Sequence, residues 1–563
     1  MLNQSILTVL MPLRIKLAMA SAIMLSFFFY SCNNSSESAI EPVVNAYVES
    51  VSINGQTIYN GGRVFDLPID SITVCISFSS EINKEKFDAE KTHLTKINSE
   101  WEILPEGTDK QLTLKLKNTL DYYTTYQLIL EQGNHLGIRI VDEYTYTIQT
   151  ALDTTPKFPS ISNDELLTLV QQQTFKYFWD YAHPVSGLAR ERYHSGETVT
   201  SGGSGFGIMT IPIAIERGFI TRTEGVERLN TIVTFLNEKA ERFHGVYSHW
   251  LNGTSGKAIA FSTKDNGADL VETAFLMQGL LTVQQYFKNG NTIEQALCDT
   301  IQKIWEEVEW TWFQKNNENK LYWHWSPNYG WDMNMAISGW NEALIVYVLA
   351  ASSPTYPITR EVYEQAWARN GGIKNGKKFY DITLPLGEDR GGPLFFTHYS
   401  FLGLDPRNLS DQYADYWIQN TAHAKINHSY CVANPKKQSG YSAQCWGLTA
   451  SDIPDGYTAS SPNNDNGTIA PTGALASFPY TPDESMAALH FYYYTLGNKI
   501  WGEYGFKDAF NLSRRWFASS YLAIDQGPII IMIENYRTQL IWDLFMQNED
   551  IRRGLQHLGF EYH

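Results

Sequence analysis

The chain has 563 residues, 43% of them hydrophobic and 18% charged, with a formal net charge of -17. It is too long for one ordinary domain and too apolar to stay disordered. A chain this acidic, with no clustered Lys or Arg, is excluded as a nucleic-acid binder, because phosphate neutralisation needs dense positive charge.

At the N-terminus, Arg14 and Lys16 precede the uncharged run Leu17–Tyr30. That run is too short to span a bilayer comfortably but suits a signal-peptide core. Ser31 and Cys32 follow, then polar residues, and this junction resembles a bacterial lipoprotein cleavage site. Residues 1–32 are therefore expected to be a lipoprotein signal, with Cys32 lipidated and the mature protein exported and membrane-anchored, in the periplasm or at the outer membrane. Residues 33–45 read as a polar tether. The remaining cysteines, Cys75, Cys298, Cys431 and Cys445, form no C-x-x-C pair, so zinc or redox use is not expected. A Cys431–Cys445 disulfide and free thiols both remain open.

Residues 46–150 alternate apolar and polar residues at period two, as in "SITVCISFSS" and "YQLILEQG". About seven short strands over such a length fit an immunoglobulin-like β-sandwich. Residues 151–163 form a Pro- and Ser/Thr-rich linker that ends in a helix start, with Asn163 as its expected N-cap.

From 164 to 563 helical patterns dominate. Some segments are apolar nearly all round, such as "NEALIVYVLAA"; others carry one charged face, such as "VERLNTIVTFLNEKAERF". Apolar helices belong inside and amphipathic ones outside. The alternation predicts two concentric rings of helices, an (α/α)6 toroid, so the whole chain reads as mainly α. Long Gly- and aromatic-rich loops precede the apolar helices, and long loops in a compact domain are usually functional.

One stretch carries the chemistry. "KDNGADLVETAFLMQGLL" sets Asp265, Asp269 and Glu272 at i, i+4 and i+7 in an apolar helix pattern, with no Lys or Arg on that face. Helix capping accounts for Asp265 and partly for Asp269, but poorly for Glu272. Unpaired carboxyls in such a place mark a site. The second candidate is Glu342 in "SGWNEALIVYV", which follows a loop holding Trp323, Trp325, Trp331 and Trp340. A carboxyl among aromatics has a raised pKa, as a general acid requires. One proton donor and a second carboxylate meet the minimum for glycoside hydrolysis.

Six blocks, "GADLVETAFLMQGLL", "SGWNEA", "SGGSGFGIM", "RGGPLFFTHYSFLGLDPR", "TGALASFPYTPDESMAAL" and "IDQGPIIIMIENYR", together resemble the bacterial glucoamylase-like domain of glycoside hydrolase family 144. The resemblance covers residues 164–563. It implies an (α/α)6 fold and an inverting, cofactor-free hydrolase of β-1,2-glucan or β-1,2-glucooligosaccharides, with sophorose as a possible product. By the same resemblance Asp265, Asp269, Glu272 and Glu342 match the family's essential acids. Glu342 is the expected proton donor, and Asp265 or Asp269 the water activator. Trp323, Trp325, Trp331, Trp340, His398, Arg390, Arg537 and Gly205 are expected at the sugar. Asp525 and Glu534 are expected to support rather than react, and no metal is expected to be required. The rivals are another glycan hydrolase or a lyase on this fold, and a glycan-binding lipoprotein without activity.

Overall fold

The computed structural model describes residues 43–562. The signal segment, Cys32 and most of the tether lie outside the described residues. Among the described residues no helix is long and apolar enough to cross a membrane.

Residues 44–150 fold as twelve strands rather than seven, with one short 3-10 turn at Lys84–Lys86. A five-stranded antiparallel sheet runs in the order Gln56–Ile58, Val48–Ile53, Thr73–Phe78, Gln111–Leu116, Trp101–Leu104. A four-stranded sheet contains Arg63–Leu67, Tyr144–Thr150, Thr125–Leu130 and Thr92–Leu94. Thr73–Phe78 and Thr125–Leu130 each bury every second side chain, as period-two alternation requires. Val74, Ile76, Leu112 and Leu114 meet Leu128, Leu130, Tyr146 and Ile148 in one apolar core.

This β unit is fixed to the rest of the chain by specific polar contacts. Ser439 Oγ donates to Asp66 Oδ1 at 2.7 Å and the Gly440 amide to Asp66 Oδ2 at 2.9 Å. Tyr123 Oη and Gln149 Nε2 both donate to the Leu512 carbonyl. The Arg515 guanidinium lies 5.2 Å from the Tyr123 ring centre.

The remaining residues form a second, larger apolar core. Helix α1 (Asn163–Trp179) starts from a capping box between Ser162 and Glu165, so the N-cap is Ser162 and not Asn163. Helix α2 (Ser201–Glu216), α4 (Leu270–Phe287) and α6 (Leu344–Ser352) are buried on nearly all sides. Helix α3 (Arg222–Glu238) and α5 (Thr292–Glu306) bury one face each. Helix α2 packs on α4 and on the Ala523–Arg537 helix, α4 also meets α5 and α6, and α3 meets α5. The burial contrast follows the sequence pattern: apolar helices pack among helices, and amphipathic ones cover them.

The α2–α4 contact explains the glycines of "SGGSGFG". A Cβ at Gly205 would lie 2.2 Å from the Phe275 carbonyl oxygen, and one at Gly279 would lie 2.2 Å from that of Gly205. The expected ligand approach at Gly205 is therefore replaced by the close crossing of two helices. Two other expected helices break. "REVYEQAWARN" turns from a short α segment into a π turn at Tyr363–Trp367, and "PDESMAALHFYYYTLGN" does so at Phe491–Thr495.

Candidate active site

Helix α4 begins at Leu270, one residue after the short strand Ala268–Asp269, which pairs antiparallel with His324–Trp325. The three acids therefore do not share a helix face. Asp265 lies in a turn bridged to Ser262, Asp269 is the N-cap, and Glu272 alone is helical. Capping explains Asp269, which accepts from the Val271 and Glu272 amides at 3.0 Å each.

The acids still converge, through two histidines that sequence reasoning passed over. His249 Nδ1 lies 3.1 Å from Asp269 Oδ2, and His249 Nε2 lies 3.9 Å from Glu272 Oε1. His324, opposite Asp269 in the strand pair, holds Nδ1 3.4 Å from Asp265 Oδ1 and 3.8 Å from Asp269 Oδ2. Glu272 Oε2 also accepts from the Gly202 amide at 2.9 Å and from Thr200 Oγ1 at 3.3 Å. Both donors belong to the start of α2, where exposed amides favour a negative charge.

Burial and charge divide these groups. Burial alone would push the Asp269 carboxyl up, but His249, His324 and the cap amide outweigh it and hold it below the ordinary range. Burial pushes Glu272 up, assisted by the Asp269 charge and opposed by His249. His249 would be pushed down by burial, yet Glu272, Asp269 and Asp265 raise it to about 9. The cluster is therefore an ion-paired network whose cations are imidazoliums.

Glu342 is half-buried and precedes α6 rather than sitting in its first turn. The Asn341 side chain accepts from the Ala343 amide at 2.9 Å. Ser400 Oγ donates to the Glu342 carbonyl and accepts from the Ile345 amide at 3.0 Å. These bonds fix the backbone and leave the carboxyl free of side-chain partners among the described residues. Burial raises Glu342 to about 7, and the charges of Glu272 and Asp269 add to the effect.

A second acid group is linked to these residues through Tyr399. Asp452 is paired with Arg192 at 3.0 Å and accepts from Ser520, and its amide donates to Asp508 Oδ2 at 2.7 Å. Asp525 lies alongside Asp508, and apart from that carboxyl no donor among the described residues reaches either Asp525 oxygen. Burial, then the neighbouring carboxyls, raise Asp508 to about 7 and push Asp525 well up. Buried Tyr399 links the groups: Asp525, Glu342 and Glu272 all act on its hydroxyl. Asp525, read from sequence as a support residue, is a buried carboxyl beside Asp508, in the apolar helix run "IDQGPIIIMI" with no basic residue within a turn.

The aromatic residues separate. Trp323, Trp325 and Trp331 are half-buried. Trp323 stacks beside His324, with ring centres 5.8 Å apart. Trp325 packs on Phe243 and His244, and exposed Trp312 stacks on His244 at 3.8 Å. Trp340 instead packs against Trp367, Phe401 and Tyr416, with one edge on a cavity of about 370 Å³ shared with Arg369 and Glu388.

Other expected sugar contacts are used elsewhere. His398 is 1% exposed and bonded to Ser477 Oγ, so it is a core histidine. Arg537 donates to Asp164, Thr168 and Gln171. Arg390 donates to Asn463. Glu534 is clamped by Arg217 at 2.8 Å through both oxygens. In the loop "NNDNGTIAPTG", Asp465 accepts from Tyr430, Tyr441 and the Gly467 amide, which makes it a buried polar knot. Cys431 and Cys445 are buried free thiols.

A Glycoamylase family model, described as "Putative glucoamylase", matches residues 334–549. The chain is 48% identical over 420 residues to an exo β-1,2-glucooligosaccharide sophorohydrolase (non-reducing end) of Parabacteroides distasonis. That match covers 71% of this chain and 58% of the relative, so the chain spans little more than half the length of that relative. The solved endo-β-1,2-glucanase of Chitinophaga pinensis, in complex with sophorotriose and glucose, is 52% identical. It matches over 71% of this chain and 99% of its own, with a TM-score of 0.70. The solved β-1,2-glucanase of Parabacteroides distasonis is 38% identical over 92% of this chain and 73% of its own, with a TM-score of 0.69.

Proposed function

The chain belongs to the glucoamylase-like family of glycoside hydrolase family 144, and from that premise we propose that it hydrolyses β-1,2-glucosidic bonds with inversion. The substrate is β-1,2-glucan or its oligosaccharides, with sophorose as the expected short product. The buried and amphipathic helices make an (α/α)6 toroid, and residues 46–150 an immunoglobulin-like unit. The mature protein is exported and anchored through a lipid on Cys32.

The observation that carries the reading is Glu342, a half-buried carboxyl titrating near 7 beside two other acids. A carboxyl that stays protonated close to neutrality can donate to the departing glucosyl oxygen. The water activator must be a carboxylate on the opposite face of the sugar, about 6.5–9.5 Å from the donor in inverting enzymes. Asp269 is poorly suited to this role, because its oxygens already bind two amides and His249. We assign water activation to the Asp508–Asp525 pair, through Asp525, which also acts on Tyr399 beside Glu342 and is bonded to no group but Asp508 among the described residues. Asp508 and Asp525 are like charges in one buried place, so the pair retains a proton and a single negative charge near neutrality. Asp265, Asp269 and Glu272, held by His249 and His324, bind sugar hydroxyls, and Trp323 and Trp325 offer ring faces to the pyranose.

The test is product analysis on linear β-1,2-glucooligosaccharides of defined length. Cleavage by the wild type, with loss of about 10²–10⁴-fold in Glu342→Gln and Asp525→Asn, supports the assignment. Cleavage of starch without cleavage of β-1,2-glucan rejects the substrate. An unsaturated product would establish a lyase, and binding without turnover a lectin-like role. For the anchor, Cys32→Ser should move the protein from the membrane to the soluble fraction.

A further inference from the structure

The acid–histidine cluster has a second property. His249, Asp265 and Asp269 each offer a ligand atom, and these atoms lie within 4.8 Å of one another. His324, outside that group of three, holds its Nδ1 beside both aspartates. The separations are 3.1 Å from His249 Nδ1 to Asp269 Oδ2, 3.4 Å from His324 Nδ1 to Asp265 Oδ1, and 3.8 Å from His324 Nδ1 to Asp269 Oδ2. A tetrahedron with metal–ligand bonds of 2.0–2.1 Å has edges of about 3.3 Å. These three spacings lie close to the edge of such a tetrahedron.

An independent observation points into this space. His324 is 8% exposed, and its Nδ1 has no hydrogen-bond partner. It lies near an oxygen of each aspartate but is aligned with neither, so its ring nitrogen aims between them. The backbone keeps it there, because His324 is the cross-strand partner of Asp269. An outer carboxylate is also present: Glu272 Oε1 stands 3.9 Å from His249 Nε2. Metal-bound histidines commonly hold such a partner on their second nitrogen.

We propose that His249, His324, Asp265 and Asp269 form a binding site for one Zn²⁺ ion, whose occupancy blocks the sugar site. Two carboxylates and two neutral imidazoles supply two negative charges, which balance the ion. Two nitrogen ligands favour Zn²⁺ over Ca²⁺ or Mg²⁺, which prefer oxygen. Binding releases the protons carried by the histidines and breaks no covalent bond. The binding claim stands without the proposed function; only the block on hydrolysis rests on it.

The test is calorimetric titration of the protein with ZnCl₂ in the absence of sugar, alongside CaCl₂ and MgCl₂. One Zn²⁺ per chain is expected, with His324→Gln and Asp265→Asn each weakening it by at least about tenfold. X-ray absorption of the Zn²⁺-loaded protein should show two imidazoles in the metal shell. These readouts do not need activity, so they remain decisive if the proposed hydrolysis fails. If hydrolysis occurs, Zn²⁺ should suppress it competitively with substrate, and EDTA should restore it. No binding, equal binding by both variants, equal uptake of Ca²⁺, or a shell without imidazole would each overturn the proposal. Binding with unchanged hydrolysis would remove its second half.

Discussion

The sharpest consequence concerns the protonation of Glu342. Burial and the nearby Glu272 and Asp269 charges raise this carboxyl from its ordinary 4.5 to about 7. At pH 6 a carboxyl titrating at 4.5 is only about 3% protonated, whereas one titrating near 7 is about 90% protonated. The environment therefore multiplies the fraction of enzyme ready to donate by about 30 at that pH. The assay is kcat/KM for a β-1,2-glucooligosaccharide between about pH 4 and 9, which reports groups of the free enzyme. The account predicts activity that falls as pH rises through about 7, and a fall at lower pH in Glu272→Gln, which removes one of the charges that raise Glu342. The same shift has a stability sign. A carboxyl with a raised pKa binds more protons folded than unfolded, so stability declines as pH climbs from 4.5 to about 7. Glu342→Gln should thus melt higher than wild type at pH 8 while losing activity. An alkaline limb below pH 5, or activity of Glu342→Gln within about tenfold of wild type, would refute the reasoning.

Four further outcomes follow. Asp269→Ala removes a helix cap and orphans His249; it should cost more than the ~1 kcal/mol of a cap alone, read by urea denaturation at pH 7. Because Asp269 is held below 3.8, the stability it supplies should be present above that pH and be lost as pH falls through the native value. Gly205→Ala drives a methyl into the Phe275 carbonyl and should lower stability by about 1–3 kcal/mol or prevent folding, measured by thermal melting. Trp325→Ala should raise KM several-fold with little change in kcat, since ring–sugar contact contributes about 0.5–1.5 kcal/mol and lies outside the chemistry.

The helical half was legible because its helices announce their burial. "NEALIVYVLAA" and "GADLVETAFLMQGLL" contain no charged residue beyond their first turns, and α6 and α4 are the buried helices they became. The β unit was legible by alternation, although short strands such as Gln56–Ile58 and Gly133–His135 carry too few residues to show a period. The acids were found for a partly mistaken reason. A strand pair ends at Asp269, so Asp265 and Asp269 are not helical, and a two-residue strand leaves no periodic trace. His249 and His324 were missed because their link to the acids is purely tertiary. Glycine misled in the opposite direction: the same freedom that admits a ligand also admits a second helix, and at Gly205 the second helix is there. His398 and Arg537 were overread because a polar residue in an apolar run has the same sequence signature whether it meets sugar or a serine.

The central claim is that Glu342 donates a proton while water, activated from the other side by Asp525, attacks the β-1,2-linked carbon. Proton NMR of the earliest product from a linear β-1,2-glucooligosaccharide tests this most directly. The account predicts that the new reducing end appears first as the α-anomer and that both Glu342→Gln and Asp525→Asn abolish its formation. A β-anomer at first appearance, or full activity in Asp525→Asn, would contradict it.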